Sequence, residues 1–415
     1  MNINKERLWN RIQELGLIGA DPEGGVSRFA FSPEDKKASK LVMTWMKEAG
    51  LKVRVDAVGN IFGRIDGLAQ GPVVLTGSHL DSVKNGGKFD GVAGVISALE
   101  VLQVMKENNK ETKYPVEMVI FVNEEGSKFP GGLMGSMAIA GKLTREYLYN
   151  TKDSSVTTLR EAIKQYGGHP DNFLDARRSP SELKAFLELH IEQAGFLEYK
   201  NMPVGVVSGI AGPYQMKLCL RGRTGHAGAA PMQGRRDPMV AAGMIIQEVE
   251  QSAIEAAFTT RGTIGYIKAF PGGHNIIPET VDLTIDYRDI DISSRTQAVD
   301  RIKKYISEVC KIRRLEHELE VTQDTPPVII NEKIVKLLDN TAKEHGIPTI
   351  IMPSGAAHDA MIMAELCNIG MIFVRSREGL SHCPKEFSSK EDLELATELL
   401  LHSIIKVADG LTDEV

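Results

Sequence analysis

Short apolar runs that end in acidic or histidine-bearing turns alternate with segments of helical period, and this alternation most constrains the fold. PVVLTGS (72–78) leads into His79, and VEMVIFV (116–122) leads into Asn123-Glu124-Glu125. Between them, GVAGVISALEVLQVMKEN (91–108) has helical spacing, and 32–50 opens on Ser32-Pro33-Glu34 and stops at Gly50, which reads as a capped helix. LKVRVDA (51–57) and NIFGRI (60–65) read as further strands. Strands alternating with helices predict an α/β domain with a mixed, largely parallel sheet. In such sheets ligands gather at the carboxyl ends of strands.

The pattern changes near Gly212. The reading there is strand 215–222, helix 237–256, strands 261–270 and 280–288, helix 294–312 and strand 317–323. That β-α-β-β-α-β order is the ferredoxin-like arrangement. At DTPPVII (324–330) the first pattern resumes, with helix 331–345, strand PTIIMPS, strand MIFVRS and a last helix at 388–409. A chain of 415 residues exceeds one hydrophobic core. The expected organisation is therefore a catalytic domain, 1–211 and 325–415, interrupted by an inserted domain, 212–324.

Lysine and arginine number 49 and aspartate and glutamate 55, a net charge of −6. That balance argues against a general nucleic-acid or anionic-membrane surface. No apolar run is long enough to span a bilayer, and the amphipathic start MNINKERLWNRIQELG lacks a signal core. The four cysteines, Cys219, Cys310, Cys367 and Cys383, show no paired spacing, so a reducing, cytoplasmic setting is expected.

The stretch TGSHLDSVKNGGKFDG (76–91) holds His79, Asp81 and Asp90 around Gly86-Gly87. A metal-binding imidazole usually gives its second ring nitrogen to a carboxylate or carbonyl, and Asp81 is placed for that role. Asp90 follows glycines that let the backbone fold back, where a carboxylate can bridge two ions. Glu124 and Glu125 are adjacent at a strand end, so they face different sides, one toward a metal and one toward a substrate as general base. His190 lies in ELHIEQAG with Glu192 and Gln193, and His382 lies in REGLSHCPKEF. Mixed histidine and carboxylate donors suit zinc, manganese, cobalt or nickel. His169, His317, His345 and His402 read as surface residues.

Together GSHLDSVxNGGxFDG, NEEGxxF, ELHIEQ, GHAGAAPMxxRRDP, PGGxNIIPE, SGAAHDA and GxSHxPxE resemble the amidohydrolase branch of the dizinc-exopeptidase family M20. That branch holds N-carbamoyl-L-amino-acid hydrolases, β-ureidopropionases and allantoate amidohydrolases, and the likeness is greatest to the bacterial carbamoylases. The resemblance implies two divalent ions (Mn, Co, Ni or Zn) on His79, Asp90, Glu125, His190 and His382, with Asp90 bridging and Glu124 as general base. It implies that the inserted domain is a lid and homodimer interface, and that His226 reaches the partner subunit's active site. It implies that Asn275 and Arg288 hold a substrate carboxylate, and that Gln193 and His358 are further active-site residues. The implied reaction hydrolyses a small ureido substrate, an N-carbamoyl-L-amino acid, with allantoate hydrolysis or a β-ureidopropionase activity as the alternative and a dipeptidase or aminopeptidase activity as a more distant one. On their own residues, Arg288 also reads as a salt bridge to Asp286 or Asp289, and His226 as a capping histidine. Two departures stand out: Ala194 replaces the family's usual glycine after HIEQ, and Cys383 replaces a small polar residue after the last ligand histidine.

Overall fold

The computed structural model describes residues 1–411, so the last four residues of the expected third segment lie outside it. The chain divides into two compact units, Met1–Ser208 with Ile330–Met352 and His358–Val415, and Gly209–Ile329 with Pro353–Ala357. The main dividing points fall a few residues from those read in the sequence. Pro353–Ala357, read as part of the first domain, groups with the second unit.

In the first unit the spatial order of strands is Lys52–Val55, Ile61–Ile65, Val116–Phe121, Val73–His79, Leu183–Ile191, Asn368–Val374 and Val204–Ile210. The middle four strands are mutually parallel, and antiparallel strands flank them on both sides. All seven residues of Val73–His79 and all six of Val116–Phe121 are buried. A parallel strand covered on both faces needs such unbroken apolar runs. Leu183–Ile191 sits at the centre of this sheet, yet the sequence reading had no strand there. Its alternating Glu188 and His190 interrupt the apolar run, so it does not read as a core strand.

Helix Pro33–Glu48 begins as expected: Ser32 caps it by accepting from the Asp35 N–H. Helix Val92–Glu107 is buried almost all round. The N-terminal helix Lys5–Leu15 is tied to it by a buried ion pair. Arg7 donates to both Glu100 oxygens, Nε at 2.7 Å and one terminal nitrogen at 2.8 Å, and the Asn4 N–H adds a third bond at 2.9 Å. The Glu100 side chain is wholly buried.

The second unit carries an antiparallel sheet in the order Glu316–Asp324, Gly212–Arg221, Thr280–Asp289, Arg261–Phe270. Helices Pro238–Ala256 and Ile292–Arg313 complete the β-α-β-β-α-β order. Val281, Leu283, Ile285 and Tyr287 alternate into a core with Leu218, Ile245 and Ile302. Thr284, Asp286 and Arg288 consequently share the opposite face. Among the described residues no helix is long and apolar enough to cross a membrane.

Removing one partner of a buried ion pair leaves the other charge uncompensated. Arg7 is half-buried and Arg11 stays 3.9 Å from Glu100, so Arg7→Ala is expected to destabilise the protein by less than the about 3–5 kcal/mol of a fully buried pair. Replacing Arg7 and Glu100 together by methionine and leucine should cost far less. Urea unfolding of both variants checks this, and equal losses would refute it.

Candidate metal centre

His79 is the last residue of its strand, and His190 is the second-last residue of the neighbouring strand Leu183–Ile191. His190 therefore lies within a strand, not in a turn after one. Glu124 and Glu125 follow strand Val116–Phe121, and His382 follows Asn368–Val374. Four parallel strands thus deliver their carboxyl ends to one place, and Asp90 comes to the middle of it.

The Asp90 carboxylate is the shared element. His190 Nε2 lies 3.2 Å from its Oδ1, and His382 Nε2 lies 3.1 Å from its Oδ2. His79 Nε2 is 3.8 Å from Oδ1. Of the four ligand-type groups here, His79–Asp90–His190 and Asp90–Glu125–His382 share Asp90; the others are His79–Glu124–Glu125 and Glu188–His190–His358. The adjacent glutamates diverge. Glu125 Oε2 is 3.8 Å from His382 Nε2, whereas Glu124 Oε2 is 3.7 Å from His79 Nε2. Gln193 Nε2 donates to Asp90 Oδ2 at 3.0 Å. His358 is buried with its ring centroid 4.5 Å from that of His190.

Local backbone explains the glycines. Gly91 has φ +64°, and a Cβ there would sit 2.5 Å from the His79 ring. A Cβ on Gly87 would sit 1.9 Å from Glu386 Oε1. Asn123, Gln193 and His382 hold φ of 52°, 57° and 56° without being glycine. Such strained residues persist where the surroundings over-determine them, typically at functional sites.

The supporting hydrogen bonds differ in detail from the sequence reading. His79 Nδ1 meets the main-chain carbonyl of Asp81 at 3.0 Å, and the Asp81 carboxylate instead accepts from the Glu124 and Glu125 N–H groups, each at 3.2 Å. Asp81 therefore orients all three of these neighbours. Glu386 was quoted within a motif but given no role. Its Oε1 accepts from the Phe89 and Asp90 N–H groups at 2.9 and 3.0 Å. Its Oε2 accepts from Ser381 Oγ at 2.8 Å and from the His382 N–H at 3.3 Å. One carboxylate thus fixes both the Asp90 loop and the His382 loop. Glu188 and Asp359, also buried, were missed for the same reason: isolated acids inside apolar or small-residue stretches carry no local signal.

Several carboxylates are buried together here. Burial pushes Glu124 well above the carboxylate range, and the neighbouring Asp359 and Glu125 charges push it further. Glu125 is pushed up to about 8 by burial and Asp90. Burial also raises Asp90, but hydrogen bonds to His190 and His382 outweigh it and hold Asp90 well below its usual value. His190 rises to about 9 against its own burial, because Asp90 holds its proton. His79 is lowered to about 4 by burial. Glu125 Oε1 is buried without a hydrogen-bond partner, as is Asp359 Oδ2. An orphaned carboxylate oxygen beside two imidazoles and a second carboxylate fits a divalent cation, and the three-histidine, two-carboxylate donor set suits a first-row metal. Among the described residues Cys383 joins no such group.

The second unit contributes three further residues named from the sequence. His226 is exposed, and its Nδ1 accepts the Gly228 and Ala229 N–H groups at 3.2 and 3.1 Å. The proton of the neutral ring is therefore left on Nε2. Arg288 forms a two-pronged bond to Asp286, 2.9 and 3.0 Å. The salt bridge read as an alternative for Arg288 thus exists and fixes the plane of the guanidinium. Asn275 is exposed and takes the Ala227 N–H on its main-chain carbonyl at 2.9 Å. Of the four histidines read as surface residues, His402 is half-buried and stacks on His345.

Outer contacts that orient metal-binding groups typically change affinity about 10–100-fold when removed. Glu386→Ala is expected to weaken Mn²⁺ binding to chelator-treated protein by about that factor. Titration calorimetry measures this, and an affinity equal to the parent's would remove the tether from the account.

Residues 75–406 match the profile of peptidase family M20/M25/M40. An N-carbamoyl-L-amino acid amidohydrolase of Geobacillus stearothermophilus is 45% identical over 98% of this chain and 100% of its own. An allantoate amidohydrolase of Bacillus subtilis is 35% identical over 97% of this chain and 98% of its own. The crystal structure of an amidase of the hydantoinase/carbamoylase family from Burkholderia multivorans superimposes with a TM-score of 0.93 at 34% identity, covering 98% of each chain. The chain is a member of peptidase family M20/M25/M40.

Proposed function

We propose that the protein is a metal-dependent amidohydrolase that cleaves the ureido C–N bond of N-carbamoyl-L-amino acids. The observation that carries this reading is the pair of triads sharing Asp90, with Glu124 beside His79. The 45% identity to a carbamoylase over the full chain supports the substrate class.

In this reading His79, Asp90, Glu125, His190 and His382 would hold the divalent ions, Asp90 being within reach of all three histidines. Bound there, the ions supply Lewis-acid polarisation of the ureido carbonyl and lower the pKa of water toward about 7. A ureido carbon is a poor electrophile because two nitrogens donate into it, which is why such assistance matters. Glu124 takes the proton from the attacking water and passes it to the leaving nitrogen. Its raised proton affinity in the bare site suits a group that must hold a proton between those steps, and cations beside it lower that affinity into the working range. The leaving nitrogen departs as the free amino acid, and the carbamate left behind decomposes to carbon dioxide and ammonia. His358, buried against His190, lines the reacting region, and Gln193 steadies Asp90 from the side away from His79.

Arg288 and Asn275 hold the substrate carboxylate, Arg288 being pre-set in its plane by Asp286. His226 offers Nε2–H to the oxyanion as it forms. Such a donor is worth roughly 10²–10³ in rate. In this reading the second unit is the lid and homodimer interface, and His226 acts on the partner subunit's site. The four cysteines are all free, which supports a reducing, cytoplasmic setting.

Glu124→Gln should lower kcat by roughly 10²–10⁴ with metal content unchanged. Inductively coupled plasma spectrometry and ammonia release read the two quantities separately, and undiminished turnover would end the proposal. N-carbamoyl-L-methionine should be hydrolysed faster than N-carbamoyl-β-alanine, allantoate or a dipeptide. Preference for allantoate would move the protein to another activity found among its relatives. Inactive His226→Ala and Glu124→Ala proteins, mixed and re-equilibrated, should regain part of the parent's turnover. No recovery would show that His226 does not act across subunits.

A further inference from the structure

The motif GHAGAAPMQGRRDP (225–238) holds more than His226. Apart from that histidine, Gly225 to Ala230 are all glycine or alanine. Nothing larger than a methyl group is there to pack the loop, and His226, Gly228 and Ala229 are exposed. Its shape must therefore come from main-chain hydrogen bonds. The root is paired: Gly225 and His226 face Ile277 and Ile276 across a short antiparallel ladder, and the Ala227 N–H donates to the Asn275 carbonyl at 2.9 Å. The Ala230 N–H then returns to the His226 carbonyl at 3.0 Å.

One side chain gathers the loop's remaining carbonyls. Arg235 Nη2 donates to the Ala227 carbonyl at 2.8 Å and to the Ala230 carbonyl at 2.6 Å, and Nε donates to the Pro231 carbonyl at 3.2 Å. These acceptors bracket the turn that offers the Gly228 and Ala229 N–H groups to His226 Nδ1. A guanidinium presents its donors in a rigid planar fork, so it fixes the acceptors it joins relative to one another. Arg235 is held in turn by its neighbours. Arg236 Nε donates to the Arg314 carbonyl at 2.6 Å, just past helix Ile292–Arg313, and the Arg236 carbonyl accepts from the Arg223 N–H at 2.8 Å. Asp237 caps helix Pro238–Ala256, accepting from the Met239 N–H at 3.0 Å. Three consecutive residues thus connect the exposed loop to both helices of the second unit.

We propose that Arg235 is a positioning residue for His226. By joining the Ala227, Ala230 and Pro231 carbonyls it keeps two main-chain N–H groups on Nδ1, which keeps the ring proton on Nε2. This rests on the reading of His226 as the donor to the oxyanion. Without the fork no other side chain of the loop holds that turn, and the proton is shared between the two ring nitrogens. An arginine that served stability alone would lower the melting temperature and leave the rate of the folded enzyme unchanged.

Full-length parent, Arg235→Met, Arg235→Lys, His226→Ala and the Arg235→Met/His226→Ala double variant are assayed on N-carbamoyl-L-methionine. His226→Ala should lower kcat by roughly 10²–10³. Arg235→Met should lower kcat by up to about 10² with KM unchanged. Arg235→Lys, which keeps the charge but lacks the fork, should fall between it and the parent. The double variant should match His226→Ala, because Arg235 acts only through that ring. Carbethoxylation by diethyl pyrocarbonate, followed by mass spectrometry, reads the ring directly, since the reagent takes the unprotonated nitrogen. His226 should react several-fold faster in Arg235→Met than in the parent, while the exposed His317 reacts alike in both. A raised KM at the parent's kcat, a further loss of kcat in the double variant, or an unchanged reaction rate at His226 would each overturn the proposal. His226→Ala at the parent's kcat would instead refute the reading of His226, and the reaction rate at that ring would then decide whether Arg235 holds it. If Arg235→Met fails to fold, Arg235→Lys carries the same comparisons.

Discussion

A single buried carboxylate organises the first unit's chemistry. Asp90 sits within reach of three imidazoles, 3.1 Å from His382, 3.2 Å from His190 and 3.8 Å from His79. Burying an anion is costly unless it is paired and hydrogen-bonded. Asp90 meets that condition only because four strands end together around it and because Gln193 and the Glu386-held backbone complete its surroundings. Every other group at the centre takes its position from this arrangement. Burial and the neighbouring carboxylates raise the proton affinity of Glu124 and Glu125 in the bare site. The unpartnered Glu125 oxygen at this place is what a divalent cation would engage.

The fold serves this carboxylate in two ways. The parallel strands bring donors from distant segments to one edge, and the glycine-rich loop lets the chain turn back over His79. Gly91 illustrates the constraint: any side chain there would enter the His79 ring. Gly87 leaves room for Glu386, whose two oxygens connect loops 297 residues apart by the Phe89 bond. Rigid support of this kind is what holds catalytic geometry to a fraction of an ångström. In the second unit Asp286 fixes the plane of the Arg288 guanidinium, because residues two apart on a strand share a face.

Much of this was legible before any coordinates. Strands Val73–His79 and Val116–Phe121 announce themselves as apolar runs, and the histidine and acids at their ends stand out against glycine. The alternating burial along Thr280–Asp289 follows from its period of two. Leu183–Ile191 was not legible, because Glu188 and His190 occupy positions that a core strand normally gives to apolar residues. Glu386 was not legible as a tether, since nothing local distinguishes a carboxylate that binds main-chain N–H groups from one in solvent. His402 was read as a surface residue because its partner, His345, lies in another helix.

The sequence alone determined the alternation of strands and helices before residue 122 and after residue 330, the β-α-β-β-α-β insertion and the kinds of side chain in the site's turns. These depend on short-range preferences: periodicity, capping and turn chemistry. Tertiary structure decided which atoms meet. It made Asp90 common to two triads, sent the Asp81 carboxylate to the Glu124 and Glu125 N–H groups while its carbonyl took His79, and stacked His345 on His402. Those outcomes depend on packing between segments far apart in the chain. A few tenths of an ångström there separate a hydrogen bond from a gap, and no local pattern encodes such a distance.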